Sequence, residues 1–445
     1  MSLNDLTLTR GHRESDEGKG GGVYISSGAS LTLNSAIISN SYARVFGGGV
    51  YAEENSALTL NNSKIRYNSA DESGGGIYTH NANTKLNDHS SVSHNSATLS
   101  GGGIFNTTAE TINFHNLTID NSDVSHNTAL EYGGGIQSSR DSNVIISNSQ
   151  ITENTATLNG GGIYQNGDFG LNSLTISNTY IVNNSSSTQD GGGIALVSSS
   201  SLKITSSFMA SNWAGELGGA IYASGSNGDV EITNSTLSHN DKKGLLTASA
   251  SVFTHNADLT IKNSTIVGGA ADASVTPRGI HAFGSYVILD SVTISGHTGL
   301  SFDAHEARFI MRNTILADNT ACQKDGLSTL TTWGGVLAKN DGNNCHDFAI
   351  EGQDPMLGPL QDNGGMVAGW ATNSIPIKTL ALLPESPAIN SGSNGESGRL
   401  GFCLRNDQRG EPRNDGMCDI GAYEVIEGTC YIIKSSSDKT MVFCL

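Results

Sequence analysis

Apolar residues in this chain fall in short alternating runs separated by polar and glycine-rich bends. In "SALTLNN" (56–62) Leu58 and Leu60 alternate with polar neighbours, and "GGGVYAEE" (47–54) and "SKIRYNS" (63–69) keep the same two-residue period. Runs this short cannot hold a stable helix, whereas a strand with one buried face needs only such alternation. The three runs predict three strands and no helix within one unit of 27 residues.

The unit recurs. "GGGVY" at Gly20 returns at Gly47, then as "GGGIY" at Gly74, "GGGIF" at Gly101, "GGGIQ" at Gly133, "GGGIY" at Gly160, "GGGIA" at Gly191 and "GGAIY" at Gly218. The intervals are 27, 27, 27, 32, 27, 31 and 27 residues. Six or seven residues before each recurrence stands an asparagine: Asn40, Asn68, Asn95, Asn127, Asn154, Asn184 and Asn212. Degenerate units continue to "GLSFDAHEARFIMRNTILADN" (299–319).

A near-constant period of short strands without helices predicts an all-β protein, a single-stranded parallel β-helix whose turns stack on one another. It should be right-handed, as crossovers between parallel strands are. About eleven turns at ~4.8 Å each would make a rod of roughly 50 Å. The glycines, Gly20, Gly47, Gly74, Gly101 and Gly160 among them, are expected at a corner that excludes a Cβ. The asparagine of "LNNS", "IDNS", "ISNS", "ISNT", "ITNS" and "IKNS" should occupy a left-handed bend and form an internal amide ladder.

Composition narrows the partners. A formal net charge of −18 argues against nucleic acid and anionic membranes, which are held by Lys and Arg. No apolar run approaches the ~20 residues that would span a bilayer, so no integral membrane segment is expected. The opening "MSLNDLTLTRGHRESDEGKGGG" has none of the regions of a secretory signal and begins inside what reads as a turn, so a truncated start and an uncapped, association-prone edge are expected. All six cysteines, Cys322, Cys345, Cys403, Cys418, Cys430 and Cys444, lie in the last third with no C-x-x-C spacing. That points to disulfides rather than a metal site, although six cysteines allow 15 pairings.

Candidate chemistry was sought in each recurring column. Lys19 precedes its glycine triplet and a strand follows, so the context of a phosphate loop is missing and no cofactor is expected. The residue after "GGG[IV]" is aromatic in most turns: Tyr24, Tyr51, Tyr78, Phe105, Tyr164 and Tyr222. If it faces outward, this column is a platform on which a ligand could stack. His94, His126 and Glu153 fall on consecutive turns, but ligands in a straight line do not converge on a metal. Glu53, Glu54, Asp71, Glu72, Glu131 and Glu216 share no register and read as solubilising corner residues, and no catalytic residue is assigned.

The "GGG[IV]Y … [ST]-x-[IV]-x-x-N" units resemble those of polymorphic outer-membrane proteins and, more broadly, β-helix proteins of the pectin-lyase-like superfamily. "DPMLGPLQDNGG" (354–365), "TLALLPESPAINSG" (379–392) and "NDQRGEPRNDGMCDIGAYE" (406–424) resemble bacterial surface proteins with a choice-of-anchor Q domain. The resemblance implies an extracellular or outer-membrane-associated bacterial rod, with adhesion to host or matrix glycans or proteins. The expected divisions are β-helix repeats over 1–320, a β-helix end with the anchor-like region over 321–425, and a cysteine-flanked hairpin over 426–445. The regular repeat without a catalytic constellation favours a non-enzymatic adhesin or ligand-binding rod. The alternative is a carbohydrate-binding protein, or a polysaccharide lyase or glycoside hydrolase, built on the same coil. A calcium-stabilised solenoid is the third reading, suggested by net charge alone.

Overall fold

The computed structural model describes the chain except residues 109–114, 141, 168–171, 199, 226–227, 241–249, 270–276, 319, 341–349, 370–373, 394–402, 414–416, 427–429, 435–439 and 445. Each regular turn holds four strands rather than three. Val50–Ala52, Ala57–Asn61, Lys64–Arg66 and Ser69–Ala70 make one turn, and Ile77–His80 opens the next. The extra break falls at Tyr67, whose φ of 56° splits "SKIRYNS" into two strands. His94, His126, Glu153, Asn183, Ser211 and His239 repeat that corner at φ 53–57°. Residues so varied adopt a left-handed geometry because backbone bonds to the next turn impose it, as Tyr67 N–H donates to the Ser93 carbonyl at 3.3 Å.

Turns stack in parallel and in register. Ala57–Asn61 pairs residue for residue with Ser30–Asn34 before it and Asn83–Asn87 after it. Among the described residues this builds three continuous sheets of 25, 8 and 12 strands, the first containing two strands of each turn. The longer intervals in the sequence are absorbed mainly at one corner, between Ile104–Thr107 and His115–Asp120 and between Ile163–Gly167 and Ser173–Ser177, with one further residue between Asn184 and Gly191. Register is therefore unbroken, with Thr84 opposite Leu117 across the first insertion. Inward-facing aliphatics form one core from Ile25 to Ala338.

Each glycine of a triplet answers a different constraint. In Gly74–Gly76, Gly74 has φ 69°, while a Cβ on Gly75 would lie 2.2 Å from the Ser96 carbonyl oxygen and one on Gly76 2.6 Å from the Gly103 carbonyl oxygen and 2.9 Å from Asn95 Nδ2. The third glycine thus makes room for a buried asparagine across the coil.

That asparagine belongs to a ladder. Asn127 donates its backbone N–H and its Nδ2, both at 3.0 Å, to Asn154 Oδ1, and its Nδ2 also donates to the Val92 carbonyl at 2.9 Å. Its own Oδ1 accepts the same pair of bonds from Asn95. The pattern runs through Asn68, Asn95, Asn127, Asn154, Asn184, Asn212 and Asn240, with every amide buried.

Two expectations need correction here. Asn40 does not share the column of Asn68 and its successors: it occupies the left-handed corner at φ 54°, exposed, and Ser41 stands in their position and donates its N–H to Asn68 Oδ1 at 3.0 Å. A spacing of six or seven residues concealed the one-residue offset. Nor is the internal ladder made by the asparagines of "LNNS" and its relatives. Asn62, Asn121, Asn148, Asn178, Asn234 and Asn263 do take the left-handed bend at φ 44–52°, but the buried polar rung there is the next residue. Ser63 N–H donates to Ser90 Oγ, Ser122 to Ser149, Thr179 to Ser207 and Ser207 to Ser235, at 3.1–3.2 Å.

Strands of the coil continue to Ile350–Glu351. Beyond them the chain turns back and lies along the outside of the rod. Gly369 N–H donates to the Asn178 carbonyl, Thr236 Oγ1 to the Lys378 carbonyl and Ala422 N–H to Thr293 Oγ1. Ala368 and Ile377 cover Val182, Phe208 and Ala210, and Leu382, Ile420 and Tyr423 cover Ile315 and Leu337. The strap is pinned by buried ions from "NDQRGEPRNDGMCDIGAYE": Arg409 pairs with Asp407, and Arg413 with Glu424. Cys403 and Cys418 form a disulfide within the same region.

Replacing Asn127 by Ala should cost about 3 kcal/mol, because buried donors of Asn95 and the Val92 carbonyl lose their partners. Asn127→Ser should cost less, since Ser41 already serves at this position with its hydroxyl accepting from Gly11 N–H at 3.2 Å. Chemical denaturation of the two variants checks this ordering.

Candidate functional site

The outer face of the 12-stranded sheet carries the aromatic column. Val50 and Ala52 belong to the core, so Tyr51 between them points outward. Tyr24, Tyr51, Tyr78, Phe105, Gln137, Tyr164, Ala195, Tyr222 and Phe253 are successive register partners. Ring centroids lie 5.3 Å apart for Tyr24 and Tyr51, 5.4 Å for Tyr51 and Tyr78, and 4.9 Å for Tyr78 and Phe105. Phe46 closes on Tyr78 at 4.4 Å, and Tyr132 on Tyr164 at 4.7 Å.

Each ring therefore covers its neighbour. Tyr51, Tyr78 and Tyr164 are 3%, 8% and 7% exposed, Phe105 and Tyr222 are half-buried, and Tyr24 at the end of the stack is 40% exposed. Burial pushes the Tyr51 hydroxyl up to about 12. Tyr24 rises to about 12 chiefly because its hydroxyl donates to Glu53 at 2.6 Å. The column faces outward, yet its ring faces are spent on one another, which leaves Tyr24 as its accessible member.

Toward the C-terminal turns the same column changes character. Phe253 is followed by His281 and Asp303 as register partners, with His305 two residues beyond Asp303 on the same strand and face. Donor atoms of His281, Asp303 and His305 lie within 4.8 Å of one another. Asp303 is buried, with Arg278 Nε 2.9 Å from its Oδ2 and His305 Nε2 3.2 Å from its Oδ1. Both contacts are near enough for an ion pair but neither is aligned as a hydrogen bond, and both Asp303 Oδ1 and His281 Nδ1 are buried without a hydrogen-bond partner among the described residues. Each such atom costs about 1–3 kcal/mol. Burial pushes the His281 imidazole down to about 4, against the pull of Asp303 and aided by Arg278.

Sequence reasoning passed over this cluster. The signal was "DAH" at 303–305, since D-x-H on a strand puts both side chains on one face, with His281 one turn earlier. The corner column that it did weigh is linear, as expected. His94 and His126 stack at 4.6 Å and His126 Nε2 pairs with Glu153 at 2.9 Å, but the three do not surround a point. The carboxylates also stay apart: Glu53 accepts from Tyr24 and Asp71 accepts from the Tyr42 hydroxyl at 2.6 Å, each on its own turn.

A second feature lies on the outer face of the long sheet. Asp229, Val230, Glu231, Asp258, Thr260, Lys262 and Tyr286 line an open groove of about 380 Å³. Asp229 and Asp258 are register partners one turn apart, Lys203 Nζ holds Glu231 at 3.2 Å, and the Arg308 guanidinium sits 5.4 Å from the Tyr286 ring centre. Of the remaining cysteines, Cys322 is buried and disulfide-bonded, whereas Cys345 lies outside the described residues. Cys430 and Cys444 are opposite one another in an antiparallel hairpin whose side chains lie outside those described.

Residues 102–276 match the family model described as a right handed beta helix region, which agrees with the expected hand of the coil. The chain is also similar to a solved structure described as the crystal structure of pectate lyase Pel9A, at 13% identity and a TM-score of 0.42 over 90% of this chain and 88% of that chain. No curated protein matches it.

Tyr78→Ala should lower stability by about 3 kcal/mol through the lost stack and its cavity, whichever ligand is present; thermal denaturation reads the effect. Asp190, whose carboxylate accepts from Leu217 N–H at 2.9 Å, is raised to about 6 by burial, with the Glu216 charge adding to the rise. Its folded value lies above the ordinary 3.8, so its contribution to stability is full below that pH and is lost as pH rises through about 6. Asp190→Asn, which copies Asn159 one turn earlier, should leave the melting temperature unchanged at acidic pH. Discounted for partial exposure, it should add on the order of 1 kcal/mol above neutrality.

Proposed function

We propose that this chain is a non-enzymatic, extracellular bacterial rod that binds glycans through the groove beside Tyr286. The observation that carries the reading is the groove's composition. A half-buried aromatic ring stands next to Asp229, Asp258, Glu231 and Lys262 in an open depression of about 380 Å³. A ring face supports the apolar face of a sugar while carboxylates and an ammonium group bond its hydroxyls. The volume falls within the range of ordinary ligand sites.

The resemblance of the C-terminal segments to choice-of-anchor Q proteins and of the repeats to polymorphic outer-membrane proteins supports a surface location. The disulfide between Cys403 and Cys418 fits an oxidising compartment. Host or matrix glycans are the partners this reading implies.

The cleaving alternative draws on the stacked pair Asp229 and Asp258, since glycosidases use two carboxylates across a bond. Both are exposed, and Asp258 Oδ1 is already engaged by the Tyr286 N–H at 3.0 Å. Binding without cleavage is therefore the reading adopted.

A glycan array probed with the full chain, followed by chromatography of any bound oligosaccharide, tests it. Retention of intact glycan, weakened at least tenfold by Tyr286→Ala, is expected. Shortened or unsaturated products would establish catalysis, and an array without signal would remove the glycan reading.

A further inference from the structure

We infer that His281, Asp303 and His305 form a binding site for a divalent transition-metal ion of the zinc class on the outer face of the coil. The inference is independent of the groove beside Tyr286, which lies on another sheet.

Geometry separates this cluster from the other histidine-rich column. Ligands on successive turns alone form a line at strand spacing, as His94, His126 and Glu153 do. Here the two axes of the sheet are combined: His281 and Asp303 are neighbours across strands, and Asp303 and His305 are neighbours along one strand. Three donors then occupy the corners of a triangle, all within 4.8 Å. Tetrahedral coordination at 2.0–2.1 Å requires donors about 3.4 Å apart. His305 Nε2 and Asp303 Oδ1 already stand at 3.2 Å, and the third donor can close on them through side-chain rotation.

The surroundings fit the same role. Asp303 Oδ1 and His281 Nδ1 are buried polar atoms without hydrogen-bond partners among the described residues, and both belong to the triangle. Arg278 holds the other carboxylate oxygen, Oδ2, at 2.9 Å, which orients Oδ1 toward the site. Asp325 Oδ2 lies 4.0 Å from His305 Nδ1, on the side of the ring away from Asp303, where an outer carboxylate steadies a metal-bound imidazole. Phe253 packs edge-on against His281 at 5.0 Å and borders that side of the site.

Two imidazoles with one carboxylate suit zinc, nickel or copper rather than calcium, which prefers six to eight oxygens. The side chain of His305 is 36% exposed, so the face opposite the sheet stays open for water or a donor from a bound partner. The nearby Arg278 charge opposes a dication, and the expected affinity is micromolar in order, short of that of closed structural zinc sites.

Zinc titration of the full chain by calorimetry, with Co²⁺ absorption as a second readout, tests the site. One equivalent is expected, with visible cobalt bands, and His305→Ala and His281→Ala should each weaken binding at least tenfold. His255→Ala, which alters a neighbouring ring outside the triangle, should not. If His305→Ala and His281→Ala bind zinc as the parent does, or if the parent binds none, the inference is overturned. Should His281→Ala fail to fold, the partly exposed His305→Ala decides alone, with its melting temperature as the control.

Discussion

The coil depends on the buried asparagine ladder. An amide side chain has two donors and two acceptor positions, and each interior rung uses them all: Oδ1 takes two N–H bonds from the turn before it, while Nδ2 reaches the next Oδ1 and a carbonyl one turn back. Slipping one turn by a single residue would put a neighbour such as His126 or Thr128 in the place of Asn127 and leave several amide groups unpaired. Backbone pairing of parallel strands is nearly indifferent to such a slip. The ladder and the serine ladder at the other bend are not, and so they select one register out of many. The glycine triplet serves the same end, because its third member leaves space for the asparagine.

A register that strict has a consequence for the surface. Outward residues also align in columns, and like side chains stacked at strand spacing satisfy one another. Tyr51 and Tyr78 illustrate this: each ring presents its face to another ring instead of solvent. Regularity thus consumes the very groups that a binding platform would need. Recognition chemistry should gather where columns change identity, and both candidate sites lie there. The aromatic column gives way to His281 and Asp303, and in the neighbouring sheet a row of asparagines and serines (Asn116, Asn143, Ser173 and Ser201) gives way to Asp229, Asp258 and Tyr286.

The period and the sheet alternation were legible in the sequence, because each repeats and each follows from strand geometry; the direction of Tyr51 stayed open there, since residues beside a corner often break the alternation. The four-strand turn was not legible, since the break at Tyr67 is made by backbone bonds and accepts Tyr, His, Glu, Asn or Ser alike. The offset of Asn40 from the ladder escaped for a similar reason: Ser41 performs the role with another residue type, so the column cannot be found by identity. The His281 cluster was missed because its residue types do not recur along either column: His281 and Asp303 follow Phe253 in one, and His305 stands in another. It arises from the meeting of two columns, one of which holds His255 and Phe283 before His305.

The C-terminal segment shows why a sequence likeness and a physical role can coincide without catalysis. In "NDQRGEPRNDGMCDIGAYE" the charged residues look exposed and reactive, but Asp407, Asp419 and Glu424 are buried and so are the side chains of Arg409 and Arg413. Asp407 accepts backbone N–H bonds from Arg409, Glu411 and Glu424, so the carboxylate organises a loop as well as an ion pair. Such pairs contribute little net stability once desolvation is counted, yet they penalise any other arrangement heavily. Gln408, held among them, donates to Thr236 and accepts from Thr265 on the rod. The strap is therefore placed by polar specificity and kept there by the apolar contacts of Ala368, Ile377 and Leu382, and it closes one outer face of a coil whose other faces remain open to ligands.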